Sequence, residues 1–497
     1  VSKKDTKNSE HEEVDITGND DLRPQINIGA RLDIITGFYV TGKYGEQILV
    51  GGLGHLTGIT GIPNSFKTAI TLYQQLSALD RVLSTVPMTL VKAHTYDCEF
   101  NLFMNRVMHL SRIFPNICAT GYFENGRYKL TDRHILSGNK WSTELRESLD
   151  DKVKNKKKYL LSTPFMTPDR TDIQYAICPS FGFLDSLTAF ETDDMTDKKA
   201  ENELGSKDNN TIHMRSGLVK TQLIADLPFI GVRANHYTQV TAHIGKTIDM
   251  PVSGGMAPPP SKATQFMKQG EKLKGVGAQF LYLTNNFYGT TKVMIPVASD
   301  KTPMYPADDI EKKLVGDKDL NIVTIGLIRS KSGASGREVD LVVSMEDGVQ
   351  PVLTEFWGLK SNDRFGLGGN NENFHLEIYP DVTMNRINLR RLIASDQKLC
   401  RAMNITSELQ QMFQCYRHVR GRIPSMKDLY ETIKSKGYDW DMILTKTRGW
   451  WAFDDIKHPQ RFLSSMDILR MYEGTYHPYW LEDDKKTIKP EFAVNMK

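Results

Sequence analysis

Apolar and β-branched runs recur along the chain with helix-spaced segments between them. Residues 48–60, ILVGGLGHLTGIT, form a glycine-punctuated apolar stretch that ends as a short buried strand. Further strand-like runs follow at 88–97 (MTLVKAHTYD), 173–186 (IQYAICPSFGFLDS), 227–236 (LPFIGVRANH), 278–284 (AQFLYLT) and 321–329 (NIVTIGLIR). Residues 67–80, KTAITLYQQLSALD, carry the apolar spacing of a helix. Strands alternating with helices predict an α/β fold whose mainly parallel sheet is covered on both faces.

Three long segments interrupt this pattern: 101–170, which contains the basic run KVKNKKK at 152–158; the acidic, polar 190–214; and 237–276, with its GG, PPP and spaced lysines. Loops of that length inside a domain are functional or mobile, and the run 152–158 reads as a solvated linker. In the C-terminal region 351–497 the pattern becomes helical. SELQQMFQCYRHV (407–419) and SMKDLYETIKSKG (425–437) are helical by period, and 441–455 reads as a hairpin turning at Thr447–Gly449. Two helices and a hairpin predict a small, mainly helical, winged-helix-like module over about 400–455. Residues 1–22 hold three lysines against seven carboxylates and almost nothing apolar, the composition of a flexible acidic tail.

At 497 residues the chain is long enough for two or three domains. With 39% hydrophobic and 25% charged residues and a net charge of +3, it reads as a globular protein. The same arithmetic excludes global disorder and a nucleic-acid coat built on bulk positive charge. Any contact with nucleic acid must come from local patches. Five scattered cysteines without C-x-x-C spacing predict neither disulfides nor zinc, and point to a reducing, intracellular, cytoplasmic setting. The polar N-terminal stretch and the lack of any run of about 18 apolar residues predict neither export nor a membrane span.

The strongest chemical pattern is Gly61-Ile62-Pro63-Asn64-Ser65-Phe66-Lys67-Thr68, set between a buried strand and a helix. It is a phosphate-binding loop with Phe66 where glycine is usual. In such a loop backbone N–H groups surround phosphate oxygens, Lys67 neutralises the β and γ phosphates of ATP, and Thr68 offers its hydroxyl to Mg²⁺. Asp185, at the end of another strand, supplies the carboxylate for the ion's water shell, and Glu99, just past a third, stands where an attacking water needs a base.

Together these residues resemble the RecA-like recombinases, most closely their tailed-phage branch, the UvsX type. That branch is similar in its S-F-K-[ST] loop, which makes Phe66 a family trait. Tyr96-Asp97-Cys98-Glu99-Phe100 resembles its [YF]-D-x-E-[FH] segment with the catalytic glutamate, and Leu184-Asp185-Ser186-Leu187 its [ILV]-D-S-[LV] magnesium strand. The resemblance spans about residues 24–350 and touches GWWAFDD at 449–455. It implies a RecA-like P-loop ATPase core over 46–350, an N-terminal entry and polymerisation segment at 23–45, and nucleotide contacts from Gly61, Asn64, Ser65, Phe66, Lys67 and Thr68. Asn235 and His236 take the place of a strand-end pair that senses the γ-phosphate. Arg329 and Lys331 resemble basic residues that reach the nucleotide of a neighbouring subunit in a filament. Segments 191–214 and 237–276 take the places of the two DNA-binding loops.

Between Glu191 and Asp208 the first of these carries seven carboxylates against three lysines, which would repel DNA. The second offers Lys246, Lys262, Lys268, Lys272 and Lys274 against Asp249 and Glu271, with Phe266 and Met267 as wedges. Arg417, Arg420, Arg422, Lys427, Lys434 and Lys436, interleaved with Tyr416 and His418, form either a face that captures duplex DNA or an ordinary charged helix surface. Trp450 and Trp451 read as packing residues. The implied activity is a DNA-dependent ATPase that polymerises on single-stranded DNA and exchanges strands in recombination, repair and replication. The alternatives are a ring helicase on the same core, and an assembly protein that binds ATP and hydrolyses it weakly.

Overall fold

A computed structural model of the chain describes residues 24–201, 209–246 and 264–493. The acidic tail 1–22, part of the first loop segment (202–208), and Asp249 and Lys262 lie outside the described residues. A ten-stranded sheet organises the chain. Its strands are β1 (Leu56–Gly61), β2 (Lys92–Asp97), β3 (Tyr128–Asp132), β4 (Ser180–Asp185), β5 (His236–Lys246), β6 (Glu271–Leu273), β7 (Asn286–Met294), β8 (Leu320–Ser330), β9 (Glu338–Ser344) and β10 (Gly348–Val349). The order is β10-β9-β8-β7-β1-β5-β4-β2-β3, with β6 paired to β5 alone. From β7 to β3 neighbouring strands run parallel, whereas β8, β9 and β10 extend the sheet antiparallel. Every residue of β1 and β4 is buried, as expected of parallel strands covered on both faces.

Helix α1 (Lys67–Leu83) leaves β1 directly and buries Ile70, Leu72, Leu76 and Leu79 against the sheet. The apolar spacing of 67–80 thus carries its expected meaning. Four strand or loop readings are corrected. Residues 227–236 are not a strand but close a long helix, Asn209–Ala234, which buries Leu223, Ile224 and Leu227 and leaves Phe229 66% exposed. That one-sided pattern is helical, and the strand starts only at His236. Residues 279–283 form a short helix, and the strand follows it as β7. The run 173–186 breaks at Pro179 into two strands: Ile173–Ile177 pairs outside the main sheet with Leu160–Met166, and β4 enters the centre.

The segment 101–170 contributes β3, the outer parallel strand, and the helices α2 (Met104–Ser111) and α3 (Gly138–Lys154). Lys152 of its basic run is 6% exposed, so the run is not a solvated linker throughout. The fourth correction concerns 441–455. Asp439 caps a helix, Trp440–Lys446, by accepting from Met442 N at 3.0 Å, and Trp440, Ile443 and Leu444 are buried. The strand that follows, Thr447–Arg448, pairs in parallel with Arg461–Phe462, so no hairpin and no winged arrangement form.

Beyond residue 350 the chain is mainly helical, with one three-stranded sheet at 367–385. Its longest helix, Gln397–Cys415, packs on Pro351–Ser361 and on the short N-terminal helix Leu32–Thr36. Arg31, almost wholly buried, donates to Ser407 Oγ (2.8 Å) and Gln410 Oε1 (2.6 Å) of the longest helix. Trp451 is a core residue, as expected, and its indole N–H donates to Gln25 O at 3.1 Å. All five cysteines are free thiols. Among the described residues no helix is long and apolar enough to cross a membrane.

Candidate functional site

The loop from β1 to α1 turns on two left-handed residues, Asn64 (φ 58°) and Phe66 (φ 61°). The left-handed region costs a residue with a Cβ about 1–2 kcal/mol, which explains a preference for glycine at the place of Phe66. Here the phenyl ring packs against the main hydrophobic core. Gly61 is required by close approach: a Cβ there would lie 1.8 Å from Thr290 Oγ1. Thr290 Oγ1 donates to Ser65 Oγ (2.7 Å), Ser65 Oγ donates to Ile62 O (2.7 Å), and Lys67 Nζ donates to the same carbonyl (2.7 Å). Burial pushes the Lys67 ammonium down, against the opposing pull of Asp185 and Glu99.

Parallel register brings the carboxylates to this loop. Asp97 lies opposite Asp185 across β2 and β4, and Gly61 lies opposite His243 across β1 and β5. Asp97 accepts the N–H groups of Glu99, Asn101 and Leu102, each at 2.8 Å, and so holds the turn that carries Glu99. Glu99 Oε1 accepts from Ser186 Oγ and, at 2.8 Å, from His243 Nε2. Burial pushes its carboxyl up, but the hydrogen bonds from Ser186 and His243 and the nearby Lys67 outweigh that and hold it below the usual carboxylate range. Asp185 Oδ2 accepts from Thr68 Oγ1 at 2.7 Å, and Thr241 donates to Oδ1. Loop, Glu99, Asp185 and His243 line one cleft of about 740 Å³, together with Arg106 and Leu110 of α2 and Met345.

Asn235 and His236 are not in this cleft. They stand at the beginning of β5, at the opposite edge of the sheet, about 23 Å from His243 along an extended strand. Asn235 bonds His55 Nε2 (3.1 Å) and Ile177 O (2.6 Å), and His236 Nδ1 bonds Ser180 Oγ (2.9 Å). They therefore cannot sense a γ-phosphate at the loop of their own chain. The residue of this strand that does line the cleft is His243, which the sequence reading missed because it ended the strand at 236. The alternation in HYTQVTAHIGK was the available signal.

Strand β5 continues past His243 into a hairpin with β6, pairing Glu271 with Lys246 and Lys272 with Gly245. Lys246, opposite Glu271, and Lys272, opposite Gly245, lie on alternate faces of this hairpin, with Lys268 just before β6 and Lys274 just after it. Lys274 N donates to His243 O at 2.8 Å, so the hairpin is tied to the residue that touches Glu99. Phe266 is 46% exposed and lies against Gly336, whereas Met267, expected as a wedge, is buried in the core. In the acidic segment Glu191 pairs with Arg133 (2.8 Å) and Lys199, and Asp194 with Lys198 (2.8 Å).

Of the C-terminal basic residues, Arg422 pairs with Glu473 (2.6 Å), and Arg420 donates to Phe413 O (2.8 Å) and Gln414 O (3.0 Å). Lys436 donates to Met471 O at 3.1 Å. These engagements favour the ordinary helix surface. Arg329 and Lys331 lie at the far end of β8, with the Arg329 guanidinium 5.4 Å from the centre of the Tyr282 ring and Lys331 Nζ donating to Leu283 O at 3.2 Å.

Asp185 is the test of whether a cation fits. It is 3% exposed, has no ion pair among the described residues, and accepts only from hydroxyls. Burial pushes its carboxyl up to about 6, and the nearby Glu99 and Asp97 add to the shift. Three carboxylates gather here with Lys67 as the cation nearby, and Mg²⁺ would supply the further positive charge that they leave uncompensated. Ionisation of Asp185 is lost as pH falls through about 6, so Mg²⁺ affinity of the protein–nucleotide complex is expected to fall with it. Mg²⁺ titrations with ADP at pH 5.5 and 7.5 would show, in the parent, a drop of about four-fold beyond the nucleotide's own titration. In Asp185→Asn that extra drop should vanish, leaving only the nucleotide's own titration.

No protein-family model matches the chain, and no curated protein matches it.

Proposed function

We propose that the chain is an ATP-dependent DNA recombinase with a RecA-like core, assembling as a filament on single-stranded DNA and promoting homologous pairing and strand exchange. The observation that carries this reading is the path from Glu99 to the lysines. One strand holds His243 against the Glu99 carboxylate and then enters the lysine hairpin. A cleft for nucleotide and a basic hairpin for a phosphate backbone are thereby joined through two hydrogen-bonded residues.

In this reading the β1–α1 loop and Lys67 bind the triphosphate, and Thr68 Oγ1 and Asp185 hold Mg²⁺. When bound, the ion screens charge on the β and γ phosphate oxygens. Glu99, ionised and fixed by Ser186 and His243, orients the attacking water and takes its proton. Backbone phosphates gripped by Lys246, Lys268, Lys272 and Lys274 would set the position of β5, and His243 would pass that position to Glu99. A homo-oligomer with ATP between subunits follows from Arg329 and Lys331, and capture of a second, double-stranded DNA from the strand-exchange activity.

Phosphate release measured with and without single-stranded DNA tests the coupling, and negative-stain images with an ATP analogue test the assembly. DNA-stimulated hydrolysis and helical filaments are the expected results. Closed rings, or hydrolysis indifferent to DNA, would overturn the reading. Replacing Lys268, Lys272 and Lys274 by alanine together is expected to lower the slope of log K against log salt by about 2, since each single-strand phosphate contact contributes about 0.7. Fluorescence anisotropy of a labelled oligonucleotide over a salt series measures it.

A further inference from the structure

The edge of the sheet opposite the loop contains a second cavity, of about 330 Å³, at the beginnings of β2, β4 and β5 and under α3. Lys152 and His236 both line it, joined through Ser180. Lys152 of α3 is 6% exposed, and its Nζ makes one hydrogen bond among the described residues, to Ser180 Oγ at 2.9 Å. Ser180 Oγ is also 2.9 Å from His236 Nδ1. His236 is 3% exposed, and its Nε2 is buried without a partner. With Lys152 donating to the serine and the serine hydroxyl donating to Nδ1, the histidine proton sits on Nε2. Arg127 and Lys92 line the same cavity and form no ion pair among the described residues; Glu144 is held by Lys129 at 3.0 Å.

A buried ammonium facing a hydroxyl and no carboxylate is costly, as is an imidazole N–H left unpaired. Both costs are relieved by the same object, an acceptor of negative charge. The volume lies at the lower end of the range for small-molecule pockets, and Leu149, Phe181 and Tyr159 give the walls an apolar part. We propose that this cavity is a second ligand site, which takes a small organic oxyanion, a phosphate monoester or a carboxylate, on Lys152 and His236 with Arg127 and Lys92 at its rim. The site is separate from the nucleotide cleft. It sits at the beginnings of the strands whose far ends lead into Glu99, Asp185 and His243.

Pyridoxal 5′-phosphate is a direct probe, because its phosphate and its aldehyde address the two features together. The unprotonated amine adds to the aldehyde, water leaves, and hydride from added borohydride reduces the imine to a stable secondary amine. Burial pushes the Lys152 amine down to about 7, so about half of it is in the reactive, unprotonated form near neutral pH. Peptide mapping of the full-length protein is expected to find Lys152 modified at least about ten-fold faster than exposed lysines such as Lys427. Inorganic phosphate and benzoate serve as competitors: protection by phosphate assigns a phosphate monoester, protection by benzoate a carboxylate. Protection by neither, or labelling of Lys152 no faster than of Lys427, overturns the proposal.

Arg127→Ala, at the rim, is expected to slow labelling of Lys152 several-fold with an unchanged melting temperature. That variant tests the site without altering the buried Lys152 itself. An unaltered labelling rate in Arg127→Ala would overturn the assignment of the rim.

Discussion

Glu99→Gln is expected to lower ATP turnover by about 10²–10⁴-fold while leaving nucleotide affinity within about two-fold of the parent. Glutamine keeps the shape of the side chain and can still accept from Ser186 and His243 through its carbonyl oxygen. It removes only the negative charge and the basic oxygen. Glu99 is held below the usual carboxylate range by its hydrogen-bond donors, so in the parent it is ionised throughout the neutral range. Its turn is fixed independently by the three N–H groups on Asp97, and the exchange therefore leaves the loop and Lys67 in place. Steady-state phosphate release and equilibrium binding of a fluorescent nucleotide separate the two effects. A variant that hydrolyses ATP at the parent rate would remove Glu99 from the chemistry and favour an assembly protein that binds nucleotide without needing to turn it over.

The parts of this site that were legible in the sequence lie where an apolar strand ends and chemistry begins. Gly61, Lys67 and Thr68 sit at fixed spacing between β1 and α1, and Asp185 and Glu99 each follow a strand with a recognisable apolar run. His243 was hidden because its strand is buried but polar. Thr238, Gln239 and Thr241 are at most 1% exposed, and the partners of Gln239 and Thr241 come from elsewhere. Gln239 donates to Thr71 O (3.0 Å) and Gln74 Oε1 (3.1 Å) on α1, and Thr241 donates to Asp185 on β4. Only tertiary partners make such residues tolerable in a core, so the short alternation of Val240, Ala242 and Ile244 is outweighed by the polar Thr238-Gln239 before it. The neighbouring LPFIGV then drew the strand upstream onto what is the last part of a helix. Strand β3, YKLTD, failed for a related reason: at the edge of the sheet it has only a short, mixed burial pattern. Likewise the partner of Thr447–Arg448 arrives only at Arg461, in parallel, which no local turn signal announces.

The same register determines what Arg329 and Lys331 can do. Asn286 on β7 lies level with Thr57 of β1 on one side and with Ser330 of β8 on the other. The end of β8 is therefore about 13 Å short of Gly61 along the strand direction and two strands, about 10 Å, to the side. The β1–α1 loop projects still further the other way. Arg329 and Lys331 are thus out of reach of their own cleft, and in the proposed filament they would meet the cleft of another copy through a head-to-tail contact of the kind that builds open helical assemblies. The double variant Arg329→Ala/Lys331→Ala is expected to lose about 10³–10⁵-fold in turnover, the range for cationic groups supplied to a transferring phosphoryl group from outside. Mixing resolves whether the loss is in trans. In an equimolar mixture with Glu99→Gln, about one contact in four joins an intact cleft to an intact basic pair, so about a quarter of the parent activity should return. If the mixture stays as inactive as either variant alone, the two residues act within their own chain or not at all, and the intersubunit site is wrong.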